Sequence, residues 1–342
     1  MGITASKPHQ KQELHDSCRS GDLQTVTELI KNKVNINQFD ENKLTPLHLA
    51  VSKGHAEIVQ LLLENGAEIY IKSGEKGLTP LIYGAIHGKL NIMNILIDFG
   101  ADMKLTTDSG RNALHYAAGN GHDEIVEFLI ENGITIDALD YQSSSPLHLA
   151  AVFGKPSTVQ NLISKGANKE LQGLNNRTPL LSAVFSGNIE TAEILLDHGA
   201  NVNAVDKFNS TAMHFILLFM AEATNDLGQG FVKLLINYGA DLTLKDEEGR
   251  TVLDLCKKSE IGDFVIDCFS EKKVPKITPK KTFTLHDCII CTNPRQYLFA
   301  LYPCAHADLC ESCCMKLLYS KSSNMKCYLC RSKITEYKKI YI

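Results

Sequence analysis

TPLHLAVSKGHAEIVQLLLENGA, residues 45–67, reads as two short helices in succession. Thr45 is a residue type that caps helix N-termini, and Pro46 fits the first turn behind it. Gly54 gives the backbone freedom to reverse between the helices. EIVQLLLENGA then sets Ile and Leu at i, i+3 and i+4, and Gly66 closes the second helix.

The opening hexapeptide recurs. TPLIYG starts at 79, NALHYA at 112, SPLHLA at 145, TPLLSA at 178, TAMHFI at 211 and TVLDLC at 251, with spacings of 34, 33, 33, 33, 33 and 40 from TPLHLA at 45. Such a period marks stacked units that cannot bury their apolar faces alone. From TPLHLA to the closing GA, the pattern resembles the ankyrin repeat. The first unit, ELHDSCRSGDLQTVTELIKNKVNIN, lacks the hexapeptide and reads as a polar cap, and the unit from Asp246 ending in DFVIDCF reads as the closing one. The longer spacing places an insertion at 220–230, between two helices of one repeat. Seven units carry the opening motif, and the polar cap precedes them.

The resemblance implies a binding stack. His48, His115, His148 and His214 recur in register, and their expected role is hydrogen bonding to backbone between turns rather than catalysis. Hairpin-tip positions carry Tyr141, Leu174 and Phe208 in three successive repeats, and first-helix ends carry Phe153, Phe185 and Phe219. All six are expected on the concave side as a site for a protein substrate. The alternative for the three first-helix phenylalanines is packing on neighbouring repeats.

Charge divides the chain near residue 270. Residues 1–269 hold 22 Lys+Arg against 34 Asp+Glu, and residues 270–342 hold 13 against 5. SEKKVPKITPKK (270–281) reads as a solvated linker, and without interleaved aromatics it makes a poor nucleic-acid contact. Of 11 cysteines, eight lie between Cys288 and Cys330. No apolar run reaches bilayer length and MGITASKPHQKQELHD has no secretory core, so a cytoplasmic chain is expected. In a reducing compartment a cysteine cluster reads as metal ligands.

The ligand order is Cys288-x2-Cys291, Cys304-x-His306, Cys310-x2-Cys313 and Cys327-x2-Cys330. Thiolate and imidazole suit zinc, and eight ligands make two closed, structural Zn2+ sites with no open position for water. Hydrolytic and redox chemistry find no support in so filled a set. Cys314 competes with Cys313 for a place, and the CxxC spacing favours Cys313. The series resembles the RING finger of ubiquitin ligases, and PCAHADLCESC and KCYLCR resemble the RINGs of inhibitor-of-apoptosis and mind bomb proteins. That resemblance implies interleaved ligation: Cys288, Cys291, Cys310 and Cys313 on one ion, and Cys304, His306, Cys327 and Cys330 on the other.

It further implies a surface for a ubiquitin-conjugating enzyme at Ile289, Pro303, Tyr328 and Leu329, with Arg331 as the cation bridging that enzyme and ubiquitin. Tyr328 stands where the family has proline, which keeps open a non-catalytic ankyrin–RING scaffold. RSKITEYKKIYI resembles a tail that supports RING homodimers, with Tyr341 at the aromatic position and Lys338 where that family is apolar. MGITAS fits N-myristoylation at Gly2, a single acyl chain giving reversible attachment to membranes. The expected organisation is an arm (1–12), ankyrin repeats (13–269), a basic linker (270–283) and a RING finger with its tail (284–342). The fold is mostly α, an ankyrin solenoid followed by a small zinc-stabilised RING. The expected function is ubiquitin-protein ligation.

Overall fold

The computed structural model describes residues 8–219, 226–257, 260–270, 298–302, 306–310 and 336–340. Its helices come in eight pairs among these residues, matching the cap and the seven repeating units. The pairs are α1 Pro8–Ser20 with α2 Leu23–Lys31, α3 Pro46–Lys53 with α4 Ala56–Glu64, α5 Pro80–Ile86 with α6 Leu90–Asp98, and α7 Ala113–Asn120 with α8 Asp123–Glu131. They continue with α9 Pro146–Val152 and α10 Pro156–Ser164, α11 Pro179–Phe185 and α12 Ile189–Asp197, α13 Ala212–Phe219 and α14 Asp226–Asn237, and α15 Val252–Cys256 and α16 Glu260–Ser270. Part of the insertion expected at 220–230 is therefore helix, because α14 begins at Asp226.

The caps form as the sequence suggests. The Thr45, Thr79 and Thr178 hydroxyls accept from the amides of His48, Ile82 and Leu181, and proline follows each. Gly54 ends α3 at φ 86°, a conformation that L side chains rarely adopt. Apolar side chains then face inward. In the compact unit Met1–Leu149, Leu14, Leu47, Ile58, Leu62, Ile82, Ile92, Leu96 and Leu114 are fully buried. In the unit Ala150–Ile342, Val159, Leu162, Phe215, Phe231 and Leu235 do the same.

Hairpins project between successive pairs, and buried aspartates shape them. Asp140 Oδ1 accepts from the amides of Gln142 (2.9 Å) and Ser144 (2.8 Å). Asp40, Asp206 and Asp246 each accept from two amides at the same offsets. Neighbouring hairpins are joined edge to edge by backbone hydrogen bonds. In the first unit these run from Gly74 N to Lys43 O, Asp108 N to Lys76 O and Tyr141 N to Ser109 O, each 3.0 Å. In the second they run from Lys207 N to Asn175 O and Glu247 N to Phe208 O, each 2.8 Å.

Three short strands lie further along, β1 Leu298–Tyr302, β2 His306–Cys310 and β3 Glu336–Ile340, in the order β2-β1-β3 with both pairings antiparallel. Leu298 pairs with Cys310 and Leu301 with His306, with an irregularity between Phe299 and Leu301. β3 pairs through Leu298↔Ile340 to Tyr302↔Glu336. No helix among the described residues is long and apolar enough to cross a membrane.

Candidate functional site

The recurrent histidines are structural. The Thr45 hydroxyl lies 2.7 Å from His48 Nδ1, and His48 Nε2 donates to the Leu78 carbonyl at 3.1 Å. His115 Nδ1 lies 2.7 Å from Asn112 Oδ1, with Nε2 3.0 Å from the Ser144 carbonyl. His214 joins Thr211 Oγ1 and the Arg250 carbonyl in the same way, and His148 Nδ1 meets Ser145 Oγ. All four are buried, and burial lowers the pKa of His48 and of His115 to about 4. His15 takes the equivalent place in the first unit, its ring nitrogens 2.7 Å from the Lys11 carbonyl and 3.0 Å from the Gln38 carbonyl, although no hexapeptide marks it.

The six residues expected as a substrate face separate. Tyr141 is 77% exposed. Phe153, Leu174, Phe208 and Phe219 are half-buried. Phe185 is a correction: it is 3% exposed and presents no surface. Its ring stacks on Phe215 at 3.6 Å between centroids, and the Arg177 guanidinium lies 3.6 Å from the ring centroid. Phe215 in turn meets Phe219 at 4.8 Å. The end of α11 abuts α13, so an aromatic residue there fills the layer between repeats.

Sequence reasoning passed over two sets of residues. The residue after three of the inter-helix glycines ties a repeat to the one before it: His55 Nε2 reaches the Arg19 carbonyl, His122 Nε2 the Ile86 carbonyl, and Asn188 Nδ2 the carbonyls of Ala151 (2.9 Å) and Val152 (2.8 Å). The GH and GN dipeptides carried that signal. Arg111, Arg177 and Arg250 also recur in register, each four residues after the hairpin position held by Thr107, Gly173 or Asp246. Arg111 Nε donates to Asp140 Oδ2 at 2.9 Å, and Arg250 Nε donates to Asp246 Oδ2 at 2.9 Å.

Arg111 lies on an open hollow of about 530 Å³ spanning the second to fourth hairpins of the first unit. Glu75, Lys76 and Asp108 line it from the hairpin tips, Tyr116 from α7, and Asp140 and Tyr141 from the fourth hairpin. Lys72 lies 3.5 Å from Asp108. A Cβ on Gly110, whose φ is 81°, would lie 2.6 Å from the Tyr141 ring, so the tyrosine lies directly against the third hairpin.

Of the zinc-ligand residues, His306 and Cys310 stand at the two ends of β2. Cys288, Cys291, Cys304, Cys313, Cys327 and Cys330 lie outside the described residues, as do Ile289, Pro303, Tyr328, Leu329, Arg331, Tyr341 and Gly2. The donor set fits zinc chemically, being seven thiols and one imidazole with three pairs at CxxC spacing.

Comparison with known families agrees with this architecture. A family model described as ankyrin repeats matches residues 6–73, 71–140 and 147–246, and one described as a zinc finger of C3HC4 type, a RING finger, matches 284–337. The chain belongs to the ankyrin-repeat family and carries a RING finger. This ankyrin–RING chain is similar to the human ASB11 ankyrin repeat domain, with a TM-score of 0.56 and 28% identity over 69% of this chain and 99% of that one. Palmitoyltransferase AKR1 of Kluyveromyces lactis is 33% identical over 107 residues, covering 30% of this chain and 14% of that protein. Human protein phosphatase 1 regulatory subunit 27 is 38% identical over 96 residues, 28% of this chain and 62% of that protein. Probable E3 ubiquitin-protein ligase XBOS32 of Oryza sativa is 33% identical over 107 residues, 30% of this chain and 21% of that protein. The chain thus spans from about a seventh to under two thirds of these curated relatives. A RING finger implies bound zinc.

Proposed function

We propose that this ankyrin–RING chain is a ubiquitin-protein ligase, the repeats holding a protein substrate and the RING positioning a ubiquitin-loaded conjugating enzyme. The observation that carries the reading is the C3HC4 match over 284–337 on a chain whose remainder is a binding stack. Likeness to a probable ubiquitin-protein ligase supports it. Two ions with interleaved ligands are what the RING resemblance implies, and the backbone spacing on β2 is compatible with His306 and Cys310 serving different ions. His306 and Cys310 are four residues apart on β2, about 13 Å at the usual strand rise. Bonds of about 2.0–2.3 Å to a common ion leave that span beyond one imidazole and one thiolate. By that resemblance Cys288, Cys291, Cys310 and Cys313 would hold one zinc, and Cys304, His306, Cys327 and Cys330 the other. Closed sites supply rigidity and no Lewis acid for substrate.

In this reading the chain forms no covalent bond to ubiquitin. Ile289, Pro303, Tyr328 and Leu329 bind the conjugating enzyme, and the Arg331 guanidinium donates to carbonyls of both enzyme and ubiquitin. Holding the thioester in a reactive pose is catalysis by restriction of motion. RING pairing through the tail at Tyr341 and reversible membrane contact through an acylated Gly2 belong to the same proposal, as does a cytoplasmic location. The test is ubiquitin-chain formation with a panel of conjugating enzymes, alongside metal analysis. Chains from the wild type that fall away in Arg331→Ala, with two zincs retained in both, support the ligase. Two zincs and no chains with any conjugating enzyme favour the scaffold, for which Tyr328 in place of proline is the motivating residue.

A further inference from the structure

The hollow in the first unit is built around a tethered guanidinium. Asp140 holds Arg111 through Nε, and the Asp140 side chain is itself 1% exposed and fixed by two amides. Arginine has five N–H donors. The Nε contact uses one, and the Nη1 and Nη2 donors make no hydrogen bond among the described residues while 27% of the side chain remains open. A fork already ordered by the fold gives up little further freedom on binding, and its planar partner is a carboxylate accepting two parallel N–H bonds.

Aromatic surface adjoins the fork. Tyr141 is the most exposed large apolar residue among those described, and the hydrogen bond its backbone N–H donates to the Ser109 carbonyl, together with the close approach of Gly110, holds it against the third hairpin. Tyr116 lines the same hollow, half-buried on α7. Surrounding charge limits what can enter. Lys76 makes no ion pair among the described residues, Asp108 is countered by Lys72 at 3.5 Å, and Glu75 lies on the rim. The first unit as a whole is acidic, with 12 Lys+Arg against 19 Asp+Glu in residues 1–149. A polyacidic tract would be repelled, whereas one carboxylate can meet the local fork.

We propose that this hollow binds a peptide bearing a single carboxylate beside an aromatic residue and otherwise uncharged, with Arg111 taking the carboxylate and Tyr141 stacking on the aromatic group. The carboxylate can belong to a glutamate or aspartate side chain or to a chain terminus. This deepens the substrate-holding half of the proposed function, and it rests on that reading only in calling the peptide a substrate.

The test uses the full chain and fluorescein-labelled peptides in an anisotropy titration. Gly-Ser-Phe-Glu-Phe-Ser-Gly-amide is compared with its glutamine and lysine counterparts, and Gly-Ser-Gly-Ser-Phe-Phe with a free C-terminus is compared with its amide. One carboxylate peptide should bind about tenfold tighter than its neutral counterpart, and which pair shows the gap identifies the source of the carboxylate. Arg111→Lys should remove most of that preference. Tyr141→Ala, at an exposed position that leaves the core intact, should weaken the preferred peptide by about tenfold. Equal binding of acid and neutral peptides, tighter binding of the lysine peptide, an unchanged titration in Tyr141→Ala, or no binding at all overturns the proposal. Peptide binding without ubiquitin transfer removes the ligase reading and keeps the hollow; transfer without peptide binding does the reverse.

Discussion

Acidification should loosen the stack through His48, and the size of the effect follows from its surroundings. The Thr45 hydroxyl accepts from the His48 amide and donates into Nδ1, while Nε2–H donates to the Leu78 carbonyl, so the neutral ring completes a closed circuit. Burial is the main reason its pKa falls from 6.5 to about 4. The unfolded chain takes up the proton first, so this contribution to stability is whole above the unfolded value and is lost as pH falls toward the folded one. Between about pH 7.5 and about pH 5 the loss comes to about 2 kcal/mol from His48 alone. His115, lowered to about 4 by the same cause, adds in the same direction. Urea unfolding followed by circular dichroism at the two pH values measures it. His48→Gln should be weaker at the higher pH yet lose about 2 kcal/mol less than wild type on acidification. If variant and wild type lose the same amount, the histidine does not carry the effect and the reasoning fails.

Other substitutions separate packing from binding. Phe185→Ala should cost about 3–5 kcal/mol of stability, read from the same urea transition, because it empties a stacked interior position. Asn188→Ala strips the side-chain donors from two carbonyls and should cost about 1–3 kcal/mol, with thermal unfolding as the readout. Gly110→Ala forces a side chain into a left-handed backbone and against the Tyr141 ring; it should lower the melting temperature and weaken any ligand that stacks there. Chelation by EDTA should abolish ubiquitin transfer while the helical circular dichroism signal persists, since zinc-dependent modules unfold without metal.

How much of this was legible in the residues depends on distance along the chain. TPLHLA and its six successors declare themselves because cap, proline and apolar spacing all act within a few positions. Paired helices and ligand spacing are local in the same sense. The fate of Phe185 is not, because it turns on Phe215 arriving from the next repeat, thirty residues on. Nor is the Arg111–Asp140 pair, since neither partner names the other in sequence and only the stacking of hairpins brings them within 2.9 Å. Tyr141 could be expected at a hairpin tip from its register, and it is 77% exposed there. The first unit's His15 fills its usual place without the hexapeptide because its ring nitrogens meet backbone carbonyls there, which no local motif marks.

The edge-to-edge bonds between hairpins also set a scale of measurement. With Gly74 joined to Lys43, Asp108 to Lys76 and Tyr141 to Ser109, the tips of the first unit cannot slide past one another. Stacked helices sit about 8–10 Å apart. An extended polypeptide advances about 3.3 Å per residue. A strand of partner laid along the tips would therefore meet a new hairpin at every third residue, and the unit would behave as a ruler with three-residue graduations, sensitive to a one-residue insertion in its target far beyond what any single contact would suggest.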